Sequence, residues 1–132
     1  VEISDPGEYF SPDGNFSVKV SIINVKNPEV NIDLTKKEYI KFLDYDRIQD
    51  SLILRTPEPG DRMVIRSDGA VKKLNRILSD RKIERTERNK VPVIACGSEI
   101  VWAVGIRIGE NYKVTDNTSR IICLEYKEEK NR

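Results

Sequence analysis

Residues 91–104, VPVIACGSEIVWAV, set the frame for reading the rest of the chain. Two short apolar stretches, 91–96 and 99–104, flank Gly97-Ser98, and branched side chains dominate both. A two-residue connection that starts with glycine suits a tight hairpin, so the stretch predicts two antiparallel strands. Trp102 stands among Ile100, Val101 and Val104. Base stacking is open to it, but packing in a core is the favoured reading.

Downstream, 106–108, 112–115 and 121–126 read as further strands, and the tail KEEKNR (127–132) reads as frayed. Upstream, 70–82 gives the clearest helix: Val71, Leu74, Ile77 and Leu78 follow the spacing of one apolar face. At 100° per residue, Lys72, Lys73 and Arg76 then fall within about 100° of one another on the opposite side. Asp68 is the expected N-cap, with Gly69 entering the first turn. A second short helix is expected over 85–90.

The first part of the chain is strand-rich. GEYF (7–10) and FSVKVSIINV (16–25) flank SPDGN, a turn sequence, and Phe16, Val18, Val20 and Ile22 alternate with Ser17, Lys19 and Ser21. NPE (27–29) breaks the run. EYIKFL (38–43) is open to strand or short helix, with strand favoured. DYDRI (44–48) reads as a helical turn, SLILR (51–55) as a strand and PEPG (57–60) as a stiff turn.

The sum is an α+β fold, a mostly antiparallel sheet or small β-sandwich with one or two short helices. Composition agrees, with 16 Ile and 12 Val against 7 Leu in 132 residues. The expected organisation is a strand-rich segment over 1–50, a domain over 51–126 and a tail over 127–132.

Composition also excludes chemistries. With no histidine, a Ser-His-Asp triad, a Cys-His pair and mixed zinc sites are ruled out. No phosphate-cradling glycine loop occurs. Asp44, Asp46 and Asp50 lie close in sequence, but DYDRIQD lacks the glycine and length of a calcium loop, so capping and solvation are favoured over a metal. Cys96 and Cys123 read as reduced thiols acting as small apolar residues, with a redox pair as the alternative. No apolar run reaches the roughly 18 residues of a membrane span. The absence of a recognisable signal peptide points to the cytoplasm, and a start at Val1 suggests a piece of a longer chain.

The net charge of +1 conceals a division. Residues 1–54 carry 6 basic and 10 acidic side chains, whereas 55–107 carry 12 and 7. Within 72–90 there are 8 basic and 3 acidic residues. A polyanion responds to such local clustering more than to the total.

One multi-part pattern carries a family resemblance. LILRTPEPGDRM (52–63), VKKLNRILSDRKIERTERNKVPVI (71–94) and EIVWAVGIRIGENYKVT (99–115) occur in that order. The chain closely resembles the C-terminal domain of tRNA(Ile)-lysidine synthetase, strongly over about 52–124 and more loosely back to about Gly7. It departs from the family pattern at Asn75, at Glu84 and in the shortened SDG loop. The resemblance implies a fold similar to a domain of the phenylalanyl-tRNA synthetase β subunit and a role in gripping the tRNA acceptor arm. It implies a parent ligase that uses ATP to adenylate the wobble cytidine of a minor isoleucine tRNA, after which lysine displaces AMP. The Ser-Gly-Gly-x-Asp-Ser loop for that step belongs to another domain, so no ATP or lysine site, and no catalytic residue or cofactor, carries over here.

A-form RNA is held mainly through phosphates and shape, a task for a fixed array of Lys and Arg. The expected array is Lys72, Lys73 and Arg76, extended by Lys82, Arg85 and Arg88. Arg55 and Arg62 flank the PEPG turn. There Asp61 either pairs with an arginine to lock the turn or leaves one to reach a phosphate, and Arg107 has the same ambiguity. The expected partners are tRNA and the rest of the same polypeptide. The competing reading is a protein-interaction or homodimer module.

Overall fold

The computed structural model describes residues 1–24 and 39–128. Its elements, in chain order, are β1 (Glu2–Ile3), β2 (Gly7–Phe10), β3 (Phe16–Asn24), β4 (Ile40–Asp44), β5 (Leu52–Arg55), β6 (Arg62–Val64), β7 (Val71–Lys73), α1 (Leu74–Asp80), α2 (Arg85–Arg88), β8 (Val93–Cys96), β9 (Glu99–Ala103), β10 (Arg107–Ile108) and β11 (Arg120–Glu128). A one-turn helix at Tyr45–Arg47 is capped by the Asp44 side chain, and another spans Glu110–Tyr112.

The alternation along 16–24 becomes β3, which pairs antiparallel with β11 over its whole length. β11 also pairs with β4, and β2 completes a sheet in the order β2-β3-β11-β4. A larger sheet runs β1-β5-β8-β9-β6-β7, with β10 on β9. Its pairings are antiparallel except for the single parallel register Arg62↔Glu99 between β6 and β9. The two sheets enclose one apolar core, in which Val18, Leu43, Leu54, Ile94, Trp102 and Leu124 are all inaccessible to solvent. A second core lies on the far face of the larger sheet, where Leu74, Ile77 and Leu78 of α1 cover Met63, Val93, Ala95 and Ile100. The result is three layers, sheet on sheet on helix. Strands from residues 1–50 pair into both sheets, β1 with β5 and β3 and β4 with β11.

The β8–β9 hairpin turns through Gly97-Ser98 as expected, with Gly97 at φ 63°. It contains a shift that alternation alone does not show. Ile94 pairs with Trp102 but Ala95 pairs with Ile100, leaving Val101 as the extra residue of a bulge. Val101 and Trp102 therefore both enter the core between the sheets, while Ile100 and Ala103 face α1. Trp102 is fully buried and serves packing, with its indole Nε1–H unpartnered among the described residues.

The expected 70–82 helix is corrected. It starts only at Leu74, because Val71–Lys73 form a strand opposite Arg62–Val64. The cause is the turn at 66–70. Gly69 takes φ 89°, Ile65 N–H donates to Ala70 O at 2.8 Å, and the Asp68 carboxylate accepts from Ala70 N–H at 3.0 Å. Asp68 thus caps a hairpin loop and not a helix. Val71 is 54% exposed, so it does not belong to the buried stripe. Helix α1 instead begins where Leu74 N–H donates to Asp61 O at 2.9 Å. A helix of seven residues does not persist alone; burial of Leu74, Ile77 and Leu78 holds it.

Three smaller differences follow. Residues 112–115 are not a strand: a helical turn at Glu110–Tyr112 gives way to a single bridge, Lys113↔Leu43. The Tyr112 hydroxyl donates to Glu99 at 2.6 Å, which anchors that turn. β11 runs to Glu128, paired with Phe16, so Lys127 and Glu128 are not frayed, and residues 129–132 lie outside the described residues. The expected break at 27–29 also lies outside them. Strands β1 and β6, of two and three residues, are too short to carry an alternation in the sequence. Cys96 and Cys123 sit in different sheets, each half-buried as a thiol. Burial, then Asp50, pushes the Cys96 thiol up, which disfavours the reactive thiolate. Among the described residues no helix is long and apolar enough to cross a membrane.

Candidate nucleic-acid interface

The cations of 55–90 divide into those held by the protein and those left exposed. Arg55 is held. Its guanidinium donates to both Asp61 carboxylate oxygens at 2.8 Å, to Thr56 O at 2.9 Å and to Gly97 O at 3.1 Å. Asp61 is buried and also accepts from Glu58 N–H at 2.8 Å. This fork locks the Pro57–Gly60 turn onto the hairpin tip, and the Asp61 bond raises the Arg55 pKa further. Arg107 is also engaged, donating to Ile65 O at 3.3 Å and meeting Glu110 at 3.4 Å.

The β6–β7 ladder sets Arg62 directly across from Lys73. Both are exposed, and neither has a carboxylate partner among the described residues. Lys72 points to the other face of the ladder, where its ammonium meets the Asp80 carboxylate. The sequence placed Lys72, Lys73 and Arg76 together on one helix face; the strand separates Lys72 from Lys73. Arg76 remains on α1, 74% exposed, and reaches the same Asp80 at 3.6 Å. Asp80 is held below the usual carboxylate range, chiefly by its bond with Lys72.

Lys82 follows the end of α1 at φ 60°, the one described non-glycine residue with positive φ. Lys82 N–H donates to Ser79 O at 2.9 Å and Ile83 N–H to Leu78 O at 3.0 Å. This pair of bonds is the helix-ending motif in which glycine is the usual residue. Lys82 is exposed and has no acidic partner among the described residues.

Arg85 and Arg88 occupy α2. Arg88 Nε donates to Ile83 O at 2.9 Å, which fixes the side chain. Both arginines line a cleft of about 520 Å³ together with Lys73 and the Pro57–Gly60 turn. Asp61 and Leu74 also line it, as do Asn75 and Asn89. Neither was singled out as a contact residue from the sequence, since isolated asparagines carry no periodic signal. Thus β7 and α2 bring Lys73, Arg85 and Arg88 to the cleft beside the Pro57–Gly60 turn, with Arg62 opposite Lys73, while Lys82 stands separately past the end of α1. Arg55 and Arg107 are engaged by groups of the protein itself.

The remaining sequence candidates resolve locally. Asp44 caps Asp46 N–H at 3.1 Å and accepts from the Thr118 hydroxyl at 3.0 Å, while Asp46 accepts from Arg120 Nε at 3.0 Å.

Comparison with known proteins agrees with this architecture. The fold is similar to a solved structure described as "Crystal structure of TILS C-terminal domain", with a TM-score of 0.74 and 24% identity, covering 98% of this chain and 96% of that one. The tRNA(Ile)-lysidine synthase of Caldanaerobacter subterraneus subsp. tengcongensis is 44% identical over 97 residues, 74% of this chain and 21% of that protein. That of Clostridium tetani is 34% identical over 117 residues, 88% of this chain and 24% of that protein. The chain therefore spans less than a quarter of the length of these relatives. The family described as "TilS substrate C-terminal domain" matches residues 52–124. With more than half of its length matched in this way, the chain belongs to the TilS substrate C-terminal domain family.

Proposed function

We infer that this domain grips tRNA for a larger ligase that attaches lysine to the wobble cytidine of a minor isoleucine tRNA. ATP and lysine are handled by the remainder of that polypeptide, and the fragment itself is not catalytic. The part of the tRNA held is the acceptor arm, and the setting is the cytoplasm.

The observation that carries this reading is the uneven treatment of cations. Where a positive charge serves the fold, as at Arg55, it is paired and sheltered. Arg62, Lys73, Lys82 and Arg85 are exposed and lack carboxylate partners among the described residues, although acidic side chains are plentiful in the chain. An array of fixed, unneutralised cations suits a ribose-phosphate backbone, whose affinity comes largely from counterion release. Lys72 and Arg76 contribute less, because they share Asp80.

The test is titration of the chain with isoleucine tRNA over a range of salt. The expected log–log slope is roughly −3.6 for the four cations, since each neutralised phosphate on a duplex contributes about −0.9. A tight, salt-insensitive self-association with no tRNA affinity would overturn this reading in favour of a protein-interaction module.

A further inference from the structure

The cleft beside α2 differs in shape and chemistry from the exposed cations around it. Its volume of about 520 Å³ lies within the roughly 300–1,000 Å³ typical of small-ligand pockets. One wall is the Pro57–Gly60 turn, which offers proline rings and bare backbone. The facing residues include Lys73, Arg85 and Arg88. The buried acid of the lining, Asp61, is already neutralised by Arg55. Glu58, the other acid, is 65% exposed and sits 3.8 Å from Arg55. Asn75 and Asn89 add two amides, each of which both donates and accepts.

A base-paired stem presents phosphates on a convex surface and keeps its bases stacked, so a concavity of this size does not suit it. A single unpaired nucleotide does suit it. Its phosphate is met by cations, its flat base lies against proline rings, and its polar edge meets the asparagine amides. The turn that forms the wall is held in advance by the Arg55–Asp61 fork and the Glu58 N–H bond to Asp61, so little ordering accompanies binding.

We propose that the cleft lined by Lys73, Arg85, Asn75 and Asn89 takes one unpaired, phosphate-bearing nucleotide from a single-stranded stretch of RNA. This rests on the RNA-binding reading above and divides its surface in two. Arg62 and Lys82, which do not line the cleft, hold paired RNA, and the cleft, with Lys73 and Arg85 in its lining, holds a nucleotide outside the stem.

The experiment uses the 132-residue chain, a six-nucleotide RNA without self-complementarity, a blunt twelve-base-pair RNA duplex and inorganic phosphate. Side-chain amide signals of Asn75 and Asn89 are followed by NMR, and affinities by fluorescence anisotropy. The hexamer is expected to shift both amide signals, and the duplex to leave them in place. The pair Asn75→Ala and Asn89→Ala is expected to weaken hexamer binding at least fivefold while duplex affinity stays within twofold. If the duplex binds but the hexamer leaves both amides unmoved, the cleft proposal fails and the gripping role stands. If neither RNA binds, both fail. Phosphate that matches the hexamer in affinity and shifts would make this a simple anion site and overturn the nucleotide assignment.

Discussion

Arg62 and Lys73 lie directly opposite each other across the β6–β7 ladder, two exposed cations in one cross-strand pair. Like charges in that position destabilise a sheet by about 0.2–1 kcal/mol. The fold retains the pair without an acidic neighbour in bonding range among the described residues, which points to use of the charge elsewhere. Lys73→Glu makes the cross-strand pair complementary. It is expected to raise unfolding free energy by roughly 0.5 kcal/mol while lowering tRNA affinity about tenfold. Urea unfolding and tRNA titration of the same variant check the two opposite signs.

Lys82 presents a related conflict between backbone and charge. A non-glycine residue in the left-handed region costs about 1–2 kcal/mol, and the bonds around Lys82 are those of a glycine-ended helix. Lys82→Gly is expected to stabilise the chain by about 1 kcal/mol and to weaken tRNA binding severalfold. Thermal unfolding monitored by circular dichroism reads the first effect.

The Arg55–Asp61 fork is structural, and its loss has a different signature. Both groups are largely sheltered, with side chains 12% and 3% exposed. Removing one partner of such a pair leaves a buried charge uncompensated, at a cost of about 3–5 kcal/mol. Arg55→Ala is therefore expected to lower stability by about 3 kcal/mol. Any loss of tRNA affinity in this variant should track unfolding, vanishing at a temperature where the variant is fully folded.

The tyrosines set the alkaline limit. Burial, reinforced by Glu128 and Tyr39, pushes the Tyr126 phenol up to about 12. Tyr112 is also pushed up, by burial first and by its bond to Glu99 second. An unfolded tyrosine ionises near pH 10. Between these values the folded chain keeps protons that the unfolded chain releases. Stability from these groups is thus fully present below about pH 10 and is lost as pH rises through the folded value. Urea midpoints should decline slightly from about pH 8.5, where an unfolded Cys96 thiol ionises before the folded one, and fall more steeply at the onset of tyrosine ionisation. Tyr126→Phe should flatten part of that fall.

How far the sequence reveals this architecture depends on whether the signal is local. The β8–β9 hairpin is legible because its glycine turn and branched strands adjoin in sequence. The register of Leu74, Ile77 and Leu78 is legible because one helix face carries it. Val71 also fits that spacing, yet it lies in a strand, because the loop at 66–70 folds it back onto Val64 and this local hairpin competes with the helical spacing. The bulge at Val101 is silent in the pattern because it is defined against a partner strand. The cationic cluster was visible as composition, but its division was not. The cleft joins 57–61 to 73–75 and 85–89, segments that only the folded chain brings together.

The central claim, that exposed unpaired cations on this side grip tRNA, is tested most directly by charge reversal. Affinity for isoleucine tRNA is measured against salt for the unaltered chain, for the triple variant Arg62→Glu, Lys73→Glu, Arg85→Glu, and for Lys19→Glu, an exposed cation on the other sheet. The account predicts that the triple variant loses at least a hundredfold in affinity and flattens the salt slope by about 3, with its circular dichroism unchanged, while Lys19→Glu binds as before. A folded triple variant that binds tRNA as tightly as the unaltered chain, with the same slope, would contradict it.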